Sequence, residues 1–322
     1  MTIRVGIVPV NSGGYLKEDL LRDTARAAED AGFESLWTFE HVIIPERYDS
    51  VYPYNPSGKI AVSGQDRFVD PLIALTWVAA CTERLRLGTG VNILSQVNPL
   101  YFAKQASSVD YLSNGRLMLG LGVGWLKEEF DALGVPFDDR GPRADEYIDA
   151  MTAAWSGELV DFDGRFVQWH DFRMLPRPVQ QPRIPIIIGG TSKPAIRRLV
   201  AKGDGWYVIH KDLDHFAELM TQFKAECDRQ GRNPADYEIT AYWNHHREGV
   251  EGAKAYEAAG VHRLLINLQA VRMGPPLEAI ERFGREVLSQ LSYVVRSFGR
   301  TTSASKPVIE RCKRRQHRAG HL

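Results

Sequence analysis

His41 ends the segment SLWTFEH (residues 35–41), and imidazole is the side chain that most readily takes or gives a proton near neutral pH. A lone histidine at that place also reads as a satisfied structural residue, because it continues the parity of Trp37 and Phe39. Two glycine-rich runs follow, Gly88-Thr89-Gly90-Val91-Asn92 and Gly120-Leu121-Gly122-Val123-Gly124-Trp125. Glycine inside a strand marks a bulge or a close backbone approach. A flat ring lying against main chain would use that access, and so would small residues fitting the taper of a barrel. Gly189-Gly190-Thr191-Ser192 opens into a helix with Pro194 in its first turn. Free N–H groups, a partial positive charge and two hydroxyls make this a phosphate site on one reading, and a plain N-cap by Ser192 on the other. Asn98, before Pro99, reads as an N-cap. His245 and His246 are adjacent and diverge on any regular element; without HExxH or a triad order, metal or serine chemistry is not indicated.

These residues need elements to position them. A β-branched run over 3–10 predicts a strand, 18–31 a helix stopped by Gly32, and 35–41 a second strand. The pattern repeats. Asp70–Pro71 and Asn98–Pro99 offer cap-and-N1 pairs for helices through Cys81 and Leu112, and strands are predicted at 85–93 and 116–124. Further strands at 185–190, 206–209, 237–242 and 262–268 alternate with helices, the last over 276–291. Eight strands in strict alternation with eight helices predict a parallel sheet, and eight such units close a (β/α)8 TIM barrel. The turn after the first strand reads VNSGGYL and not GxGxxG, which disfavours an open dinucleotide-binding sheet. Two insertions exceed a minimal barrel: a Pro-, Tyr- and Gly-rich loop over 42–69 after strand two, placed to form a lid, and a hairpin over 158–173 before strand five. Residues 1–296 form the expected barrel domain; 297–322 read as a polar, basic tail, solvated or disordered.

Lys plus Arg number 40 and Asp plus Glu 40, a formal net charge of zero, which argues against a general nucleic-acid binder. Cysteines 81, 227 and 312 form no CxxC pair, so neither a disulfide framework nor a cysteine zinc site is expected. No signal peptide or membrane-spanning run is evident, and a cytoplasmic location with a small-molecule partner, no nucleic acid and no membrane is the expectation.

Four segments together resemble the luciferase-like superfamily of flavin and deazaflavin oxidoreductases: 35–41, 83–135, 177–206 and GVHRLLI at 260–266. The resemblance spans roughly residues 3–290 and is greatest to the group assigned to coenzyme F420. It implies a barrel whose mouth holds a tricyclic ring, backed by a bulged third strand with a non-proline cis peptide at Gly90–Val91 and contacted also at Asn92. It further implies ring-and-tail contacts at Gly122, Gly124 and Trp125, a phosphate loop at Gly189, Gly190, Thr191 and Ser192, and a catalytic His41 near the ring. Sugar-phosphate dehydrogenases of the family carry a glutamate where Trp125 stands, which argues against sugar-phosphate oxidation. Trp125 would stack on the substrate or wall its pocket together with Glu128; Glu128 and Glu129, a turn further on, could take that glutamate's place, and Glu129 reads equally as a helix surface charge. The implied function is hydride transfer between F420 and a small organic substrate. The alternatives are an FMN-dependent monooxygenase and a non-catalytic flavin- or deazaflavin-binding protein. A homodimer through helices of the second and third units is the family expectation.

Overall fold

The computed structural model describes residues 3–16, 20–267 and 275–291. The expected tail lies outside them. The alternation of the sequence appears as β1 (Arg4–Ile7), α1 (Leu20–Ala31), β2 (Ser35–Thr38), α2 (Pro71–Cys81), β3 (Arg86–Thr89), β4 (Asn92–Ile93), α3 (Pro99–Leu112) and β5 (Leu117–Gly122). A short α4 (Lys127–Ala132) and α5 (Arg140–Ala154) precede the antiparallel hairpin β6 (Val160–Asp163) and β7 (Gln168–Phe172). The second half runs β8 (Ile186–Gly189), α6 (Lys193–Lys202), β9 (Gly205–Val208), α7 (Leu213–Gln230), β10 (Glu238–Tyr242), α8 (His245–Ala258), β11 (Arg263–Ile266) and α9 (Pro276–Glu286).

Eight parallel strands close a ring: β1, β2, β3, β5, β8, β9, β10 and β11, with β11 pairing back to β1 and β3 to β5. This is a (β/α)8 TIM barrel, and both insertions fall where the loop and hairpin patterns place them. The predicted third strand, 85–93, is broken. Its last residues, β4, leave the β3 line after Gly90–Val91, which is cis, and pair Asn92 with Leu121. The caps follow the sequence chemistry: Asp70 accepts from the Ile73 N–H, and Asn98 from those of Leu100 and Tyr101.

Strand alternation divides the interior into two cores. Outward residues such as Leu36, Leu87, Leu119, Ile188 and Leu264 pack against the helices. Inward residues Val8, Trp37, Met118, Ile187, Tyr207 and Leu265 fill the barrel itself. At its N-terminal end the fully buried Arg263 pairs with Glu34 at 2.7 Å and also with Glu238. Among the described residues, no helix is long and apolar enough to cross a membrane.

Candidate active site

The C-terminal ends of the barrel strands bring His41, the Gly90–Asn92 bulge, Gly122, Gly124, Trp125 and the Gly189–Ser192 turn to one face, the mouth. His41 follows β2 and is not isolated. Its Nδ1 lies 3.1 Å from the Glu129 carboxylate on α4. Glu129 is 1% exposed, and its other oxygen accepts from the N–H groups of Val42 (2.7 Å) and Ile43 (3.3 Å). Burial pushes this carboxyl up, but the His41 bond and charge and the two N–H groups outweigh it and hold it below the ordinary range. Of the two readings of Glu129 the surface charge is the one overturned: packing of α4 beneath the loop turns it inward. The pair fixes the imidazole through Nδ1.

Glu128 is turned elsewhere. Its carboxylate accepts from the N–H groups of Asp49 (2.6 Å) and Ser50 (3.1 Å) and from the Ser50 hydroxyl (2.7 Å). Although the residue loses some hydration, these bonds pull its carboxyl down to about 2. The structure gives it the task of anchoring loop 42–69, whereas the sequence reading set it in the substrate pocket. Anchored there, the loop crosses the mouth with its aromatic residues. Tyr52 and Tyr48 meet Trp125 at ring-centroid distances of 5.1 and 5.7 Å, and His41 meets it edge-on at 6.2 Å. The hydroxyl of Tyr54 faces Thr191; burial raises its pKa, and bonds from the Thr191 hydroxyl and N–H draw it back. Ser192 caps α6, accepting from the Ala195 N–H at 3.4 Å.

Much of the room at the glycines is taken by the chain itself. A Cβ on Gly88 would fall 2.2 Å from the Trp37 ring, and one on Gly120 only 1.7 Å from the Thr89 carbonyl. A Cβ on Gly122 or Gly189 would fall 2.6 or 2.7 Å from the side chain of Val91. Val91 therefore projects into the barrel from the bulge and is half-buried at the floor of the mouth. Packing inside the barrel by itself requires glycine at these four positions.

Glu40 went unassigned in the sequence, and only its place before His41 and at the end of a strand marks it. Its carboxylate accepts from the Asn92 amide at 2.8 Å and from the Ile93 N–H, so it ties the bulge to β2. The Oδ1 of Asn92 is buried without a partner. Among the described residues, no cluster of three His, Cys, Asp or Glu side chains could hold a metal.

A parallel barrel with a histidine oriented by a buried carboxylate, a half-buried valine and a helix start at one mouth has the layout of a small-molecule enzyme scaffold. Residues 10–282 match the family described as luciferase-like monooxygenase, and the chain belongs to it. An uncharacterised protein of Mycobacterium tuberculosis is 31% identical over 261 residues, covering 80% of this chain and 88% of its own. The FMNH(2)-dependent dimethylsulfone monooxygenase of Pseudomonas putida is 28% identical over 192 residues, 59% of this chain and 48% of that one. In fold, the coenzyme F420-dependent tetrahydromethanopterin reductase of Methanopyrus kandleri is similar, with a TM-score of 0.70, 18% identity, and coverage of 90% of this chain and 100% of that one.

Proposed function

We propose that the protein is an oxidoreductase that moves hydride between the deazaflavin coenzyme F420 and a small organic substrate. The observation that carries this reading is His41 at the mouth, oriented by the buried carboxylate of Glu129. The residues present fit a planar redox group. Half-buried Val91 offers an apolar floor, Trp125 a wall, and the unpartnered Asn92 Oδ1 an acceptor beside that floor. Thr191 and the first N–H groups of α6 would hold an acidic tail. Such a cofactor, when bound, supplies two-electron chemistry. The chain orients it against the bulge, moves a proton at His41 Nε2, and excludes water with the aromatic part of loop 42–69. The name of the Methanopyrus reductase supports the deazaflavin. That of the Pseudomonas relative supports a second reading, an FMN-dependent monooxygenase.

Titrating purified protein separately with F420 and FMN, followed by cofactor fluorescence, tests this. Saturable F420 binding is expected, with a turnover about 10²–10⁴-fold lower in His41→Ala. Binding of FMN alone, with oxygen uptake in its reduced form, would establish the second reading instead.

A homodimer is also proposed. Ile73 and Trp77 on α2 are 64% and 54% exposed, and Tyr101, Tyr111 and Leu112 on α3 stand out beside them. Large apolar side chains grouped in this way mark an association surface.

A further inference from the structure

Glu129 divides three donors between two oxygens. Oε2 lies 3.1 Å from His41 Nδ1, and Oε1 accepts from the N–H groups of Val42 at 2.7 Å and Ile43 at 3.3 Å. Burial works against its charge, but the His41 bond and the two N–H groups keep it ionised. An ionised carboxylate accepts at both ends and donates at neither. The ring nitrogen that faces it therefore carries hydrogen, and any proton that His41 exchanges is the one on Nε2. The other oxygen serves the chain. Val42 and Ile43 begin the loop over 42–69, and they are 54% and 42% exposed, so apolar packing does little to hold them. Farther along, the loop has a separate anchor in Glu128, which takes the N–H groups of Asp49 and Ser50 and the Ser50 hydroxyl.

We infer that Glu129 is a positioning residue that couples His41 to the root of the loop, setting the tautomer of the ring with one oxygen and holding residues 42–43 with the other. Its meaning for catalysis rests on the reading of His41 as the proton-transfer residue of the mouth. Glutamine has the same shape but accepts at one end and donates at the other, so it satisfies the loop or the Nδ1 hydrogen and not both. Loss of either partner leaves a buried charge short of donors, which it recovers by admitting water or a proton at the expense of the remaining bond. The coupling is reciprocal: what loosens the loop root also frees the ring.

Two NMR measurements on the full chain without cofactor test this: the ¹⁵N signals of the His41 ring at a pH where it is neutral, assigned by their loss in His41→Phe, and amide hydrogen exchange along the loop. The parent is expected to carry the ring proton on Nδ1. In Glu129→Gln the amide oxygen is expected to keep the loop while its NH₂ turns to Nδ1, which moves the ring proton to Nε2. An amide turned the other way keeps the tautomer and speeds exchange at 42–43 about tenfold, which supports the coupling equally. His41→Phe is expected to speed exchange at 42–43 about tenfold and to leave 49–50, held by Glu128, within about twofold of the parent. A parent ring protonated on Nε2, a Glu129→Gln protein with both tautomer and exchange unchanged, or equal acceleration at 42–43 and 49–50 in His41→Phe would overturn the inference. Should His41→Phe fail to fold, the Glu129→Gln ring signals and exchange decide it. Failure of F420 and FMN to bind would overturn the redox reading instead and leave these cofactor-free measurements standing.

Discussion

The Glu40 carboxyl is enclosed by the bulge it holds, and burial pushes it up to about 7 against the pull of the Ile93 N–H and the Asn92 amide. The ordinary value is 4.5, so the folded protein holds this proton more tightly than the unfolded chain does. Its stabilising contribution is complete below about 4.5 and is lost as the pH rises through about 7. Glu40→Gln is expected to flatten the fall in melting temperature between pH 5 and pH 8, and to melt about 2 °C above the parent at pH 8. A pH profile identical to the parent's would show that the carboxyl is solvated. Glu129 goes the other way: His41 and two N–H groups keep it ionised despite its burial, so its charge persists to hold the imidazole. Two carboxylates near one mouth thus differ in protonation because their neighbours differ.

At the scale of elements, the closed sheet depends on strands meeting without side chains between them. β3 and β5 approach so closely that the Gly120 position has the Thr89 carbonyl where a Cβ would stand, and Thr89 returns a hydrogen bond to the Gly120 carbonyl at 2.8 Å. Backbone cannot yield as a flexible side chain can, so Gly120→Ala is expected to cost about 3 kcal/mol or more in denaturant unfolding. Gly134, which has nothing within 4 Å of its Cβ position, lacks that steric conflict and differs only through its positive φ of 68°. The loop over 42–69 is likewise held by element-scale contacts: Glu128 and Glu129, adjacent on α4, grip it at 49–50 and 42–43.

For the whole molecule, one ion cluster ties the first, second, tenth and eleventh strands together at the closed end. Arg263 bonds Glu34 through Nε and Nη2, both at 2.7 Å, and also bonds Glu238, which takes Arg4 at 2.7 Å. Burial alone would raise Glu34, but the charge and bonds of Arg263 bring it down to about 2. That stabilisation is therefore present above about 4.5 and lost as the pH falls toward 2. Arg263→Met leaves Glu34 buried without its main partner and is expected to cost about 3–5 kcal/mol at neutral pH, with a shallower acid-side loss than the parent. At the outer surface, Trp77→Glu is expected to convert a dimer to a monomer in light scattering. A parent already monomeric, or a dimer indifferent to the charge, would refute the α2–α3 interface.

The alternation of β-branched runs with capped helical patterns by itself determined the barrel, because burial periodicity and cap chemistry are local properties of the chain. Asp70, Asn98 and Ser192 cap as their types require, and the order of the glycine-rich motifs was enough to point to the mouth. What tertiary structure decided is partnership. His41 and Glu129 are 88 residues apart, Arg263 and Glu34 229 apart, and no local pattern encodes which of several carboxylates folds inward. The break after β3, the inward turn of Val91 and the occupation of glycine-lined space by Trp37 and Val91 are also decided by packing in a closed ring, where each side chain's room depends on strands distant in sequence.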